Sequence, residues 1–181
     1  MSFVPARPWP ARNAAARLTR AASRAEALHV HPEPGDRIDC WIVERVLGTG
    51  GMGTVVAARH AQIGHTVALK LLHAHLASEG MRERFLREAR AIAKIQSPHV
   101  VSVIDVGTAQ DGTPFIVLEL LDGQDLGAMV SGERTLPEAR AVDLVEQACR
   151  GLRVAHAQGI VHRDLKPANL FVVKRADGSP L

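Results

Sequence analysis

The sequence of 181 residues contains only two cysteines and no long apolar run. Cys40 and Cys149 are too few for a disulfide framework and lack the spacing of metal ligands, which favours a reducing compartment. No stretch approaches the roughly 18 consecutive apolar residues that a membrane-spanning helix needs. These absences argue against a small disulfide-bonded secreted domain and against a membrane span within this sequence.

Acidic residues are almost missing from the start of the chain. Five arginines precede residue 25, whereas Glu26 is the only acid before Glu33. The remainder is close to balanced in charge, so we expect no nucleic-acid partner for the folded part. Residues 1–35, rich in Ala, Arg and Pro, cannot bury enough apolar surface to offset the entropy of ordering, and we interpret them as a disordered tail. A transit peptide and a wrongly assigned start codon are the alternatives for this segment.

From residue 36 onward, the hydrophobic pattern indicates one domain in which short strands are followed by helices. Apolar runs bounded by Gly, Asp and Pro predict strands, and apolar residues three and four apart predict helices. The first predicted strand contains the apolar residues 41–43 and 46–47, and the others cover residues 54–58, 66–72, 100–106, 115–121 and 170–173. The predicted helices cover residues 81–95 and 137–157. Asp177 and Gly178 are predicted to form a hairpin turn that leads to Leu181.

A glycine-rich segment follows the first predicted strand and fits the pattern G-x-G-x-x-G. Its residues are Gly48, Thr49, Gly50, Gly51, Met52 and Gly53. A P-loop would end in Gly-Lys-Ser/Thr, and here Thr54 and Val55 follow the last glycine. A dinucleotide-binding fold would place a helix after the glycines, whereas Val55 and Val56 favour a strand. The segment is therefore either a glycine-rich hairpin lid over phosphates or an ordinary glycine-rich turn.

Two charged residues occupy positions where the pattern predicts burial. Lys70 lies within the apolar strand 66–72, where an isolated ammonium would be costly to bury. Glu88 lies on the same helical stripe as Phe85 and Ile92, which predicts that it points toward the core. Paired with each other, these two charges would satisfy one another and would orient Lys70 toward ligand phosphates. A snorkelling lysine at a sheet edge and a solvated glutamate at the helix rim are the alternatives.

The segment from His162 to Asn169, with the sequence His-Arg-Asp-Leu-Lys-Pro-Ala-Asn, resembles the catalytic loop of the eukaryotic-type protein kinases. The order of the parts is also similar, because the glycine segment, Lys70 and Glu88 precede this loop as they do in that family. The Gly-Gly-Met-Gly variant of the lid looks most like the bacterial serine/threonine kinase branch. The resemblance covers about residues 42–181.

The resemblance implies catalytic roles for three residues of this loop. Asp164 would accept a hydrogen bond from the substrate hydroxyl and orient it for attack. Lys166 would neutralise the transferring phosphate, and a lysine at this position marks Ser/Thr rather than Tyr specificity. Asn169 would supply an amide oxygen as a ligand of Mg²⁺.

The resemblance also implies an adenine and ribose site lined by apolar residues with main-chain hydrogen-bonding groups at one edge. The residues assigned to it are Val55 and Ala68 as the roof, Phe171 as the floor, Leu118 as the gatekeeper, Glu119 and Leu121 as the hinge main chain, and Asp125 for the ribose hydroxyls.

The implied fold class is α+β, the bilobal protein-kinase fold within a partial kinase domain at residues 36–181. A complete β-rich N-lobe with the helix called αC in that family would span residues 38–121. The hinge would span 119–125, and a truncated helical C-lobe would span 126–181.

The implied function is ATP-dependent phosphorylation of protein Ser/Thr residues in the cytoplasm, with ATP and Mg²⁺ as cofactors. The sequence has no Asp-Phe-Gly after Asn169, so the second magnesium ligand of the family is absent and we expect an N-terminal fragment with little activity alone. A pseudokinase, or a nucleotide-binding regulatory or scaffold fragment without phosphotransfer, is the alternative. Any membrane anchor of the parent protein would lie beyond Leu181.

Overall fold

The structure, a computed structural model, describes residues 32–73, 76, 78–131 and 135–174. Six strands form one antiparallel sheet in the spatial order β1-β2-β3-β4-β6-β5. The strands are β1 (Arg37–Ile38), β2 (Trp41–Gly50), β3 (Gly53–His60), β4 (Thr66–Leu72), β5 (Val103–Thr108) and β6 (Pro114–Glu119). Helix α1 (Glu79–Ile92) connects β4 to β5 and packs against β5 and β6.

One face of this sheet forms the hydrophobic core. Alternate residues of β4, namely Val67, Leu69 and Leu71, are buried on that face, as the period of two along a strand requires. Leu69 is aligned with Val56 of β3 and Val117 of β6, which gives a continuous apolar row across three strands. Each such side chain contributes about 1.5–3 kcal/mol when it is removed from water, so this face holds the sheet together.

A second, mainly helical part follows the sheet. Its elements are β7 (Gly123–Asp125), α2 (Leu126–Met129), α3 (Glu138–Ala157), a 3₁₀ turn (Pro167–Asn169) and β8 (Phe171–Val173). Strands β7 and β8 pair with each other in a small antiparallel ribbon. Helix α3 approaches the chain before β5 closely, because a Cβ added to Gly151 would lie 2.7 Å from the carbonyl oxygen of His99.

Most elements expected from the sequence are present, with shifted ends. The first expected strand, with apolar residues at 41–43 and 46–47, is present as Trp41–Gly50, and its register is irregular at two points. The helix expected at 81–95 spans Glu79–Ile92, and the one expected at 137–157 begins just after Pro137. The sequence did not predict β1, β7 or α2, because elements of two to four residues are too short for a periodicity to be recognised.

Two expectations concern the ends of the chain. Residues 1–31, and with them most of the expected tail at 1–35, lie outside the described residues, as does the turn expected at Asp177-Gly178. Gly35 already belongs to the folded part, since its N–H donates to the carbonyl oxygen of Val43 over 2.8 Å. No helix within the described ranges has the length and apolar character of a membrane span.

Candidate active site

The glycine segment forms the tip of the β2–β3 hairpin. Gly50 is aligned with Gly53, and Gly51 and Met52 form the turn between them. A Cβ added to Gly48, Gly50 or Gly51 would meet no atom within 4 Å, so another molecule can approach the backbone there without meeting side chains. Thr49, between these glycines, and Met52 are exposed as well. The segment is therefore a hairpin, as both the lid and the ordinary turn require, and its role as a lid stays a prediction.

Four residues expected at the nucleotide site share the sheet face that is opposite to the core. Val55 is aligned with Lys70, and Ala68 is aligned with Leu118. Residues aligned across antiparallel strands point to the same face, and positions 68 and 70 of β4 alternate with the buried core residues. The structure thus brings Val55, Ala68, Lys70 and Leu118 together on one face of the sheet, with Val55 two residues after the last glycine of the hairpin.

The expectation that Glu88 is buried against Lys70 is wrong in this structure. The side chain of Glu88 is 59% exposed, and its Oε1 accepts a hydrogen bond of 2.9 Å from Nε of Arg84, one helical turn earlier. Within the described residues, Lys70 has no carboxylate within 4.0 Å. The physical reason is the position of α1, which packs on β5 and β6 rather than on β4, so that Glu88 remains in water beside an arginine.

The residues expected at the hinge and ribose positions lie where the sheet passes into the helical part. Glu119 ends β6, its N–H donates to Ser102 over 3.1 Å, and its Oε1 accepts from the N–H of Ser102 over 2.6 Å. The main-chain groups of Leu121 make no hydrogen bond to the described part of the chain, so they remain available to a ligand. Asp125 and Phe171 are aligned across the β7–β8 ribbon, and Asp125 Oδ1 caps α2 by accepting from Ala128.

The loop between α3 and β8 brings three predicted catalytic residues into direct contact. Nζ of Lys166 lies 2.9 Å from Oδ2 of Asp164. Nδ2 of Asn169 donates to the main-chain oxygen of Asp164 over 2.7 Å and to its Oδ2 over 3.1 Å. The hydrogen bond from Lys166, followed by that from Asn169, lowers the pKa of the Asp164 carboxyl below its usual value. Asp164 is therefore an exposed carboxylate held in a fixed orientation.

A tight turn centred on Arg163 presents Asp164, and the sequence did not predict it. Arg163 has φ of 61°, in the left-handed region, and the N–H of Asp164 donates to the carbonyl oxygen of His162 over 2.9 Å. This bond closes a three-residue turn of the γ type, which is strained for a residue with a side chain. Sequence reasoning has no signal for it, because positive φ is usually marked by Gly or Asn.

The donor atoms of this loop suit a single contact to a hard cation. Because Asn169 uses its amide nitrogen toward Asp164, its Oδ1 is directed elsewhere and can serve as the neutral oxygen ligand that Mg²⁺ accepts. Within the described ranges, no group of three His, Cys, Asp or Glu residues could hold a metal ion. The loop therefore supplies one ligand to a metal site rather than a complete set of ligands.

Comparison with known proteins identifies a family for this chain. Residues 41–178 match the family model described as the protein kinase domain. The chain is 44% identical over 134 residues to the serine/threonine-protein kinase pkn3 of Myxococcus xanthus, which covers 74% of this chain. It is 42% identical over 150 residues to Pkn1 of the same organism, which covers 82% of this chain. The chain spans only 24% and 21% of the lengths of these two relatives.

A solved structure has the same fold. The crystal structure of a double mutant of the Mycobacterium tuberculosis PknI kinase domain is similar with a TM-score of 0.71 and 30% sequence identity. The match covers 81% of this chain and 58% of the PknI chain. The sheet with α1 and the helical part that follows it therefore correspond to the α+β bilobal arrangement of that domain.

Proposed function

This chain belongs to the protein kinase domain family, and from that membership we propose that its protein transfers the γ-phosphate of ATP to Ser and Thr hydroxyls of protein substrates. The observation that carries the proposal is the contact of Asp164 with both Lys166 and Asn169. Phosphoryl transfer needs positioned groups and charge neutralisation more than covalent chemistry, and this cluster offers both. Its lysine favours Ser/Thr as the acceptor.

The carboxylate of Asp164 acts on the acceptor hydroxyl in this proposal. It is exposed, so an incoming hydroxyl can reach it, and the hydrogen bonds from Lys166 and Asn169 lower its pKa and thereby favour its ionised form. The ammonium of Lys166 lies beside it, and the side chain of Lys166 is 53% exposed. The same ammonium is thus placed to neutralise charge on the transferring phosphate while Asp164 orients the nucleophile.

The nucleotide would occupy the face of the sheet that carries Val55, Ala68, Lys70 and Leu118. Ala68 is small and Val55 and Leu118 are apolar, which suits a flat adenine ring, and the main-chain groups of Leu121, which make no hydrogen bond to the described part of the chain, would reach its edge. Phe171 would close the slot from the other side, and Asp125 would approach the ribose. Lys70 and the exposed backbone at Gly48, Gly50 and Gly51 would contact the phosphates.

Members of this family use ATP together with Mg²⁺, and Asn169 would contribute one oxygen ligand to the ion. Bound Mg²⁺ supplies neutralisation of the negative charge on the phosphate oxygens. The residues of this chain would contribute the other requirements of transfer. Asp164 would orient the acceptor hydroxyl, Lys166 would neutralise charge, and the sheet face would provide the apolar slot. Use of ATP as the donor implies that the domain works in the cytoplasm.

The test is a transfer assay with the purified full-length protein and ATP labelled in its γ-phosphate. We expect label to appear on Ser and Thr of a generic protein substrate, as read by phosphoamino-acid analysis, and to require Mg²⁺. Asp164→Asn keeps the size of the side chain and removes its charge, so it should lower the rate by at least about 100-fold, the typical contribution of a positioned acid–base group.

Two outcomes would contradict the proposal. Absence of label in the wild-type protein, together with retained binding of a fluorescent ATP analogue, would indicate a nucleotide-binding protein without phosphotransfer. Equal labelling by wild type and Asp164→Asn would show that the Asp164 cluster does not carry the reaction. A matched control is Asp143→Asn, because Asp143 is an exposed carboxylate of α3 that pairs with Arg140 far along the chain from the loop.

A further inference from the structure

The glycine hairpin is attached to the end of β4 by contacts that converge on His73. The main-chain N–H of His73 donates to the carbonyl oxygen of Met52 over 3.1 Å. The side chains meet as well, because Nε2 of His73 shares a hydrogen bond of 3.1 Å with Oγ1 of Thr54. One residue therefore binds both the turn of the hairpin and the first side chain after its last glycine.

The hydroxyl of Thr54 is buried, which is unusual for a polar group, because the residue is only 1% exposed. A buried hydroxyl that lacked its hydrogen bond would be costly, so the bond to His73 restricts the conformations open to both residues. Gly53 strengthens the attachment, since a Cβ there would lie 2.0 Å from the carbonyl oxygen of Leu71. The returning arm of the hairpin thus rests directly on the backbone of β4.

The other arm of the hairpin makes no such bond to the end of β4 within the described residues. Added Cβ atoms at Gly48, Gly50 and Gly51 would meet nothing within 4 Å, and Met52 is 66% exposed. The hairpin is consequently fixed at 52–54, where His73 binds Met52 and Thr54, and open at Gly50 and Gly51. Its fixed arm lies next to Val55, which is aligned with Lys70, so the attachment sets the position of the tip relative to the lysine.

We propose that Thr54 and His73 are positioning residues that hold the glycine lid at a defined distance from Lys70, so that both contact the same nucleotide phosphates. Neither residue touches the substrate in this proposal. It deepens the proposed nucleotide site and rests on it. Loss of the side-chain bond would let the fixed arm move, which weakens ATP binding without removing any group that takes part in transfer.

The experiment compares Thr54→Val, which removes the hydroxyl and keeps the shape, with Thr54→Ser, which keeps the hydroxyl. The full-length protein is titrated with a fluorescent ATP analogue, and KM for ATP and kcat are measured in the transfer assay. For Thr54→Val we expect Kd and KM to rise about three- to ten-fold, the range that one net hydrogen bond provides, with a smaller change in kcat. Thr54→Ser should restore both constants to within about two-fold of wild type.

His73 is tested in the same way with His73→Ala and with His73→Gln, whose amide can reach the place of Nε2. If the two side chains act through their shared bond, the double variant Thr54→Val/His73→Ala will bind the analogue no more weakly than the weaker-binding single variant. The proposal would be overturned if the two increases in Kd multiply in the double variant. It would also be overturned if Thr54→Val binds the analogue as tightly as the wild-type protein does. If Thr54→Val does not fold, wild-type binding by His73→Ala has the same meaning.

The two readouts separate this inference from the proposed function. Weakened analogue binding by Thr54→Val, restored by Thr54→Ser, supports the lid attachment even if the wild-type protein transfers no phosphate. Normal transfer by wild type, abolished by Asp164→Asn and unaffected by either Thr54 variant, supports the kinase and overturns the attachment. A general loss of stability would reduce the folded fraction and leave Kd and KM of the remaining molecules unchanged.

Discussion

Glu88 forms an ion pair with Arg84, with 2.9 Å between Oε1 and Nε, although the sequence pattern had placed it against Lys70. Both side chains are about 60% exposed, at 60% for Arg84 and 59% for Glu88. A pair of this kind on a helix surface contributes only about 0.2–0.5 kcal/mol. Glu88 can therefore exchange this partner at little cost. Protein kinases need the equivalent lysine and glutamate to pair for catalysis, so under the proposed function we expect α1 to move toward β4 before transfer.

The first prediction concerns the two partners of Glu88. Glu88→Gln should lower kcat/KM at least about ten-fold, because the amide cannot neutralise Lys70 once α1 approaches β4. Arg84→Gln removes the competing partner and should leave activity unchanged or slightly higher, within about two-fold. Steady-state transfer assays on the full-length protein provide the comparison. Equal losses in the two variants would show that the Arg84–Glu88 pair, rather than a Lys70–Glu88 pair, matters for activity.

The second prediction tests Lys70 directly. Lys70→Met keeps the length of the side chain and should remove most activity, because Lys70 is aligned with Val55 on the sheet face that would receive the nucleotide. Lys174→Met is the matched control, since Lys174 is half-exposed and its Nζ lies 3.3 Å from Oδ1 of Asp122 in the helical part. We expect the control to retain nearly full activity. Turnover of Lys70→Met at the wild-type rate would remove Lys70 from the proposed site.

The sequence predicted the sheet well because its strands are long enough to show their pattern. β4 alternates buried Val67, Leu69 and Leu71 with positions on the other face, and local strand preference and tertiary burial agree there. The partner of Glu88 was not predictable, because the helical stripe identifies an apolar side of α1 but not the strands against which that side packs. That choice depends on the placement of the whole helix, which is a tertiary property.

The candidate site shows the same division between local and distant relationships. The contact of Asp164 with Lys166 and Asn169 lies within six residues, so a local motif is enough to indicate it. The turn at Arg163 is equally local, yet it had no signal because arginine carries no preference for positive φ. The bond between Thr54 and His73 spans 19 positions and follows from strand register, which the sequence did not specify to the residue.

The third prediction concerns the charge of Asp164. Its pKa is lowered by hydrogen bonds from Lys166 and Asn169, so its ionised form stabilises the folded loop at neutral pH. That contribution is present above the pKa of the unfolded carboxyl and is lost as pH falls through the lower pKa of the folded state. Lys166→Met removes the first of these causes and should raise the pKa of Asp164 toward its ordinary value.

The measurement for this third prediction is a carbon-13 titration of protein labelled at its aspartate carboxyls. Asp164→Asn identifies the resonance of interest by its disappearance. We expect the titration of Asp164 to move to higher pH in Lys166→Met and to stay in place in Lys174→Met, whose lysine contacts a different carboxylate. An unchanged midpoint in Lys166→Met would mean that the contact between Lys166 and Asp164 is not maintained in solution.

The last prediction uses two glycines of the lid whose surroundings differ. A Cβ at Gly53 would lie 2.0 Å from the carbonyl oxygen of Leu71, which is backbone and cannot turn aside, whereas a Cβ at Gly51 would meet nothing within 4 Å. Neither glycine has φ in the left-handed region, so the contact alone distinguishes them. Gly53→Ala should therefore lower the free energy of unfolding by at least about 1–3 kcal/mol, because β3 must separate from β4.

Gly51→Ala should change the free energy of unfolding by less than about 0.5 kcal/mol, as a surface substitution without such a contact does. Scanning calorimetry of the full-length protein gives both values, and the transition that rises when ATP and Mg²⁺ are added identifies the domain that carries the lid. Equal stability of the two variants would contradict the close packing of Gly53 on β4. It would also weaken the attachment proposed for Thr54 and His73, because that bond needs the returning arm of the hairpin to rest on the same strand.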